Sequence, residues 1–228
     1  MKRTTPLVLG TAALAMLGTA ALGSGPALAA QPASKDKSVQ LSATLSELNG
    51  SGASGTVIAS VKNQKIESIQ VTAKGLTPDA PHAQHIHYGN DALNECPRPE
   101  LDTNPKDGFI NTVEGIPAYG PVVVSLNTTG DTTPVSFLDV TRFPVSSDGS
   151  YDYFRTNIEF TDVAGTGYTG GGGTAKQIAD SIREGEGVVV IHGVDYNGNG
   201  IYDGERVSEL TPTLPAEATD PAACGILE

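Results

Sequence analysis

Basic residues are scarce in this chain: 14 Lys and Arg stand against 26 Asp and Glu, for a formal charge of -12 at pH 7. With that imbalance and no cluster of cations, nucleic acid and anionic membrane are poor partners, and small anions are repelled at long range. Long apolar runs are scarce too. Beyond the stretch from Leu7 to Leu22, none approaches the roughly 20 residues needed to span a bilayer. Cysteine occurs only at Cys96 and Cys224, without the C-x-x-C spacing of zinc and redox motifs. There is no repeat of 20 to 50 residues. The Gly-rich run at 170 to 173 lacks the lysine-serine pair of a phosphate loop, and no histidine lies near a nucleophile motif. Nucleotide chemistry and Ser/His/Asp hydrolysis are thereby left without residues to perform them.

The one apolar run follows Lys2 and Arg3 and leads into Pro26-Ala27-Leu28-Ala29-Ala30, the charged, apolar and small-residue order of an export signal. The expectation is a secreted, extracellular or extracytoplasmic protein: residues 1 to 29 are removed, 30 to 38 form a polar flexible leader, and 39 to 228 form a single domain. Loss of Lys2 and Arg3 takes the formal charge to -14. In an exported chain two cysteines pair by default. A Cys96–Cys224 bridge closes a loop of 128 residues, worth about 4 to 5 kcal/mol in the chain-entropy model.

Period-two alternation predicts strands at Val39-Leu41-Ala43, Thr56-Ile58-Ser60 and Ile66 to Thr72, and further strands at Gln84 to His87, Val122 to Leu126, Val135 to Val140 and Val188 to Val194. The last is apolar on both faces and belongs at the centre of a sheet. Residues 89 to 121, rich in proline and holding Cys96, read as a long loop, and 145 to 172 as a second break in the pattern. One helix is predicted, Ala175 to Arg183, with Thr174 as its N-cap and Gly185 past its end. The fold class is all-β: an antiparallel Greek-key sandwich or flattened barrel with long loops and one short helix.

All four histidines fall in two places, His82, His85 and His87 in PHAQHIHYG and His192 in VVVIHGVD. Residues two apart on a strand share a face, so His85 and His87 aim at one point, and His192 on a central strand can supply a third nitrogen. Imidazole suits copper, zinc, iron and nickel, with copper leading the affinity order and zinc the alternative here. The competing reading is that the histidines are hydrogen-bonded core residues.

The segment GLTPDAPHAQHIHYGN, Gly75 to Asn90, resembles the copper,zinc superoxide dismutase segment of the form GL…H-G-F-H-x-H…G, and also the related CHRD domains. GPVVVSL at 120 to 126 and VVVIHG at 188 to 193 resemble later strands of these families, and PAACGIL resembles the dismutase ending ACGVI, whose cysteine pairs with one placed as Cys96 is. The resemblance implies a dismutase-like sandwich in which His85, His87 and His192 match three copper ligands. His82 would match a histidine that does not ligate but orients its neighbours through backbone hydrogen bonds. The departures are equally definite. No histidine lies between 88 and 191, so the bridging and zinc ligands have no counterpart, and Pro221 stands where the dismutases carry their superoxide-guiding arginine. Three functions follow as expectations: a secreted metal-binding protein with a degenerate site, a CHRD-like structural or interaction module without metal, or a weak copper-only dismutase. The first leans away from an enzyme.

After His192 comes DYNGNGIYDGE, in which Asp195, Asn197, Asn199, Gly200 and Asp203 occupy positions 1, 3, 5, 6 and 9 of a calcium loop. Position 12 is Arg206 rather than Glu, and no helix is predicted before the loop. Calcium completed by Glu205 and a tight Asn-Gly turn with solvated acids both remain open.

Overall fold

In a computed structural model of the chain, residues 37–165 and 171–228 are described. The export signal, the leader up to residue 36 and part of the Gly-rich crossing lie outside them. Eight strands form one antiparallel sheet, curled as a half-barrel, in the order β5-β4-β7-β8-β1-β2-β3-β6. The strands are β1 (Val39–Glu47), β2 (Ser54–Lys62), β3 (Lys65–Lys74), β4 (Gln84–His87), β5 (Val122–Ser125), β6 (Ser150–Glu159), β7 (Gly187–His192) and β8 (Pro221–Leu227). Among the described residues there are three short helices, α1 (Thr112–Tyr119), α2 (Ala175–Arg183) and α3 (Ala216–Thr219), where the sequence predicted only the second.

Alternation places the core. Leu41, Ala43 and Leu45 of β1, Val57, Ala59 and Val61 of β2, and Ile69, Val71 and Ala73 of β3 point to one face, joined there by Ile86, Val189 and Ile191 and sealed by Ile178, Ala179 and Ile182 of α2. α2 starts at the predicted cap: Thr174 accepts from the Gln177 amide while the Gln177 side chain accepts from the Thr174 amide.

β7 is buried at every position and lies between β4 and β8. Its odd and even residues therefore serve different clusters. Val189 and Ile191 enter the main core, whereas Val188 and Val190 pack on the opposite face with Cys224 and Tyr119. The segment 89–121 folds over part of that second face, bringing Cys96, Ile116 and Tyr119 against it. Cys96 and Cys224 are bonded, with Cα atoms 5.8 Å apart, and the bridge fastens this segment to β8.

Three expectations are corrected. Val135 to Val140 is not a strand: Pro134 and Val140 each open a single 3-10 turn, and Val135 is 87% exposed. Proline fixes φ and removes a donor, and the Ser136 hydroxyl accepts no ladder role but donates to Asn127 at 3.0 Å. Residues 145 to 172 hold a ten-residue strand, β6, paired along its length with β3. As an edge strand it buries only Tyr153 and Ile158, and Asn157, at φ 57°, interrupts the alternation, which is why its pattern reads as a break. The long loop at 89 to 121 contains α1, which Gly115 and Pro117 argue against by propensity. A reciprocal cap between Asn111 and Glu114 starts it regardless.

Candidate metal centre

Strand periodicity builds the site. His85 and His87 of β4 sit opposite Val190 and Val188 of β7, on the face away from the main core, and His192 follows Val188 and Val190 at spacing two on that same face. The chain locally shifts register at Ile86/His87 against β5 and at Ile191/His192 against β8, next to two of the three imidazoles. Ring centroids are 5.2 Å apart for His85 and His192, 5.6 Å for His85 and His87, and 6.1 Å for His87 and His192.

Each imidazole is tied by one nitrogen to a backbone carbonyl. His85 Nε2 donates to Phe137 O at 3.1 Å, His87 Nδ1 to Gly120 O at 2.9 Å, and His192 Nδ1 to Thr219 O at 2.6 Å. A carbonyl only accepts, so these bonds fix where the ring proton sits and leave a lone pair on the other nitrogen. The three remaining atoms, His85 Nδ1, His87 Nε2 and His192 Nε2, are buried and make no hydrogen bond. The cluster offers three ligand atoms within 4.8 Å of one another. Three nitrogens bonded to one ion at about 2.0 to 2.1 Å stand about 3.4 Å apart in tetrahedral geometry, so ring rotation has up to about 1.4 Å to close.

Burial also sets the charge state. It holds His85 well below the ordinary 6.5, with His192 and His87 opposing a second positive charge beside them. Burial and then His192 push His87 down to about 3, and burial pushes His192 to about 4. The rings are neutral at neutral pH, the form a metal requires.

His82 lies apart from this point. Its Nδ1 faces the His192 carbonyl at 2.9 Å and its Nε2 faces the Thr77 carbonyl at 3.1 Å, while the Tyr202 hydroxyl lies 3.2 and 3.3 Å from the two nitrogens. It buttresses the backbone of His192. Gly193 makes this possible: at φ 111° it adopts a conformation that favours glycine, and a Cβ there would stand 2.2 Å from Tyr202 Oη and 2.8 Å from His82 Nδ1.

Sequence reasoning missed the walls. Tyr119 packs on His87 with ring centroids 4.4 Å apart, and Phe143 meets His85 edge-on at 5.3 Å. Gly120, Phe137 and Thr219 act through carbonyl oxygens, which every residue has, so no sequence signal marks them. Burial holds the Tyr119 hydroxyl protonated far above its ordinary range, and it donates to Thr112 O at 2.6 Å. His85, His87 and His192 are among the residues that line a cavity of about 320 Å³.

The acidic loop folds on itself. Asp195 accepts from the amides of Gly198, Asn199 and Gly200, and the side-chain amides of Asn197 and Asn199 donate to Asp203 at 3.2 and 2.9 Å. Glu205 is exposed. The carboxylate that serves the loop is the buried Glu217, which accepts from the amides of Tyr196, Asp203 and Gly204. Among the described residues, the three histidines are the one group of at least three His, Cys, Asp or Glu placed to hold an ion. Also among them, no helix is long and apolar enough to cross a membrane. No family model matches the chain, and no curated protein matches it at a significant level.

Proposed function

We propose that this is an extracytoplasmic protein that holds one copper ion at His85, His87 and His192, on a scaffold related to the copper,zinc superoxide dismutases and CHRD domains. The observation that carries the reading is the set of three buried, neutral imidazole nitrogens with no hydrogen bond. A buried nitrogen without a partner costs about 1 to 3 kcal/mol, and three together make an expensive core unless an ion satisfies them. Their carbonyl bonds do what partners of metal-bound histidines do, fixing ring orientation and basicity. An imidazole-only donor set favours copper over the other divalent ions by affinity order, with zinc as the alternative occupant. Bound copper supplies one-electron chemistry.

The residues around the site restrict what that chemistry reaches. Among the described residues, no Asp, Glu, Lys or Arg lines the cavity. Pro221 begins β8 where the resemblance places the guiding arginine, and it offers no positive charge. The site is therefore read as a metal-holding centre rather than a fast dismutase. The bridge from Cys96 to Cys224 suits an oxidising compartment and fastens the segment that carries Tyr119 and Gly120 onto the histidines.

The reading is tested by metal content. Protein loaded with copper(II), passed over a chelating resin and assayed by mass spectrometry for metal, retains one equivalent. Retention of less than a tenth of an equivalent of either copper or zinc overturns it and leaves the structural module, in which the histidines serve packing.

A further inference from the structure

The cavity over the histidines has a composition that their metal alone does not explain. Its walls include Ile116, Val122, Pro134, Phe137, Leu138 and Leu214, and among the described residues its lining carries no Asp, Glu, Lys or Arg. The polar groups it does hold are already engaged: the Thr112 hydroxyl donates to Thr219 O and the Tyr119 hydroxyl to Thr112 O. What is left is one free nitrogen on each of the three lining histidines, buried and without a hydrogen bond. At about 320 Å³ the space holds about ten water-sized groups at about 30 Å³ each, near the lower end of small-molecule sites. Water in such a space would find few polar atoms, and each buried water needs two to four.

We propose that this cavity binds a small uncharged molecule, apolar over most of its surface and bearing one neutral donor atom that would ligate the metal held by His85, His87 and His192. The inference rests on the metal reading above and adds to it the class of ligand. Two features point the same way. A second polar group on the ligand would find no free partner in the walls, and burying it unpaired would cost more than it returns. A charged arm would meet no counter-charge. An apolar arm, in contrast, gains about 25 cal/mol for each Å² removed from water. An aryl azole has this form: one ring nitrogen to donate and one flat apolar arm.

The test compares imidazole with 4-phenylimidazole on the full disulfide-bonded protein loaded with copper(II), its metal content measured first. Binding is followed by the shift of the copper d–d absorption and by the copper electron paramagnetic resonance spectrum. 4-Phenylimidazole binds about 10- to 100-fold more tightly than imidazole, and Leu138→Gln, which sets a polar group in the wall, removes most of that preference. Protein that retains no copper overturns the metal reading and this inference with it. Protein that retains copper but binds the two azoles equally overturns this inference alone. A phenyl preference that survives both Leu138→Gln and Ile116→Gln places the arm outside this cavity and overturns it as well.

Discussion

Asp220 stands at the turn into β8 with none of its surface exposed, and its replacement by Asn isolates one electrostatic term of the fold. Its Oδ2 accepts from Tyr196 Oη at 2.8 Å and from Arg206 at 3.2 Å, but its Oδ1 is buried without a partner. Burial outweighs those two bonds and raises its pKa from 3.8 to about 7. In the unfolded chain the carboxyl has lost its proton by pH 5, while in the folded protein it keeps it until near pH 7. Between these values the native state binds more protons, so this group's contribution is fully present below pH 3.8 and is lost as pH rises through 7. Two pKa values of 3.8 and about 7 give a loss of about 2.6 kcal/mol between pH 5 and pH 8. The buried histidines run the other way, because their folded pKa values are depressed. Their contribution is present above 6.5 and declines as pH falls from there toward 3 to 4. They cancel in a comparison of wild type with Asp220→Asn, since both proteins contain them. Urea unfolding of metal-free, disulfide-intact protein at pH 5, 6, 7 and 8 should show the variant gaining on wild type by about 2 to 3 kcal/mol across the range. Asn keeps an oxygen for Tyr196 and Arg206, and any cost of its new amide is independent of pH. A difference that stays constant from pH 5 to pH 8 would refute the argument.

Removing the bridge by Cys96→Ala with Cys224→Ala should lower stability by up to about 5 kcal/mol, because the sequence separation is 128, and urea midpoints measured side by side check it. Gly193→Ala should cost about 1 to 3 kcal/mol through backbone strain, and more if Tyr202 and His82 cannot move aside; a thermal midpoint within a degree of wild type would contradict this. Copper-loaded protein should turn over superoxide far below the diffusional ceiling of about 10⁸ to 10⁹ M⁻¹s⁻¹, since no Lys or Arg among the described residues lines the cavity, and pulse-radiolysis rates at that ceiling would refute it.

The parts of this molecule legible in its sequence are those governed by short-range periodicity. The bounds of β4, Gln84 and His87, and of α2, Ala175 and Arg183, are legible because strand spacing and a helix cap are local signals. The convergence of His85 and His87 is a consequence of spacing two, and that of His192 needed the family resemblance, since pairing of β7 with β4 spans about a hundred residues. What could not be read depends on tertiary context. β6 looks like loop because its place at the sheet edge leaves only two residues buried, with even Phe154 exposed. α1 looks like loop because its Gly115 is demanded by packing: a Cβ there would lie 2.4 Å from the Tyr119 ring. The carbonyls that hold the imidazoles carry no side-chain signature, and neither does the apolar cavity, whose walls come from segments scattered between residues 83 and 219.

The claim on which the rest depends is that three imidazoles share one ion while the fourth supports them from outside. It is tested most directly by copper(II) titration of wild type, His82→Ala, His85→Ala, His87→Ala and His192→Ala, with electron paramagnetic resonance reporting the nitrogens bound. His85→Ala, His87→Ala and His192→Ala should each abolish most of the affinity and remove one nitrogen from the hyperfine pattern. His82→Ala should keep all three and weaken binding by only about 10- to 100-fold, through the lost support of the His192 backbone. Equal, minor losses across the four variants, with no change in the nitrogen pattern, would contradict the account.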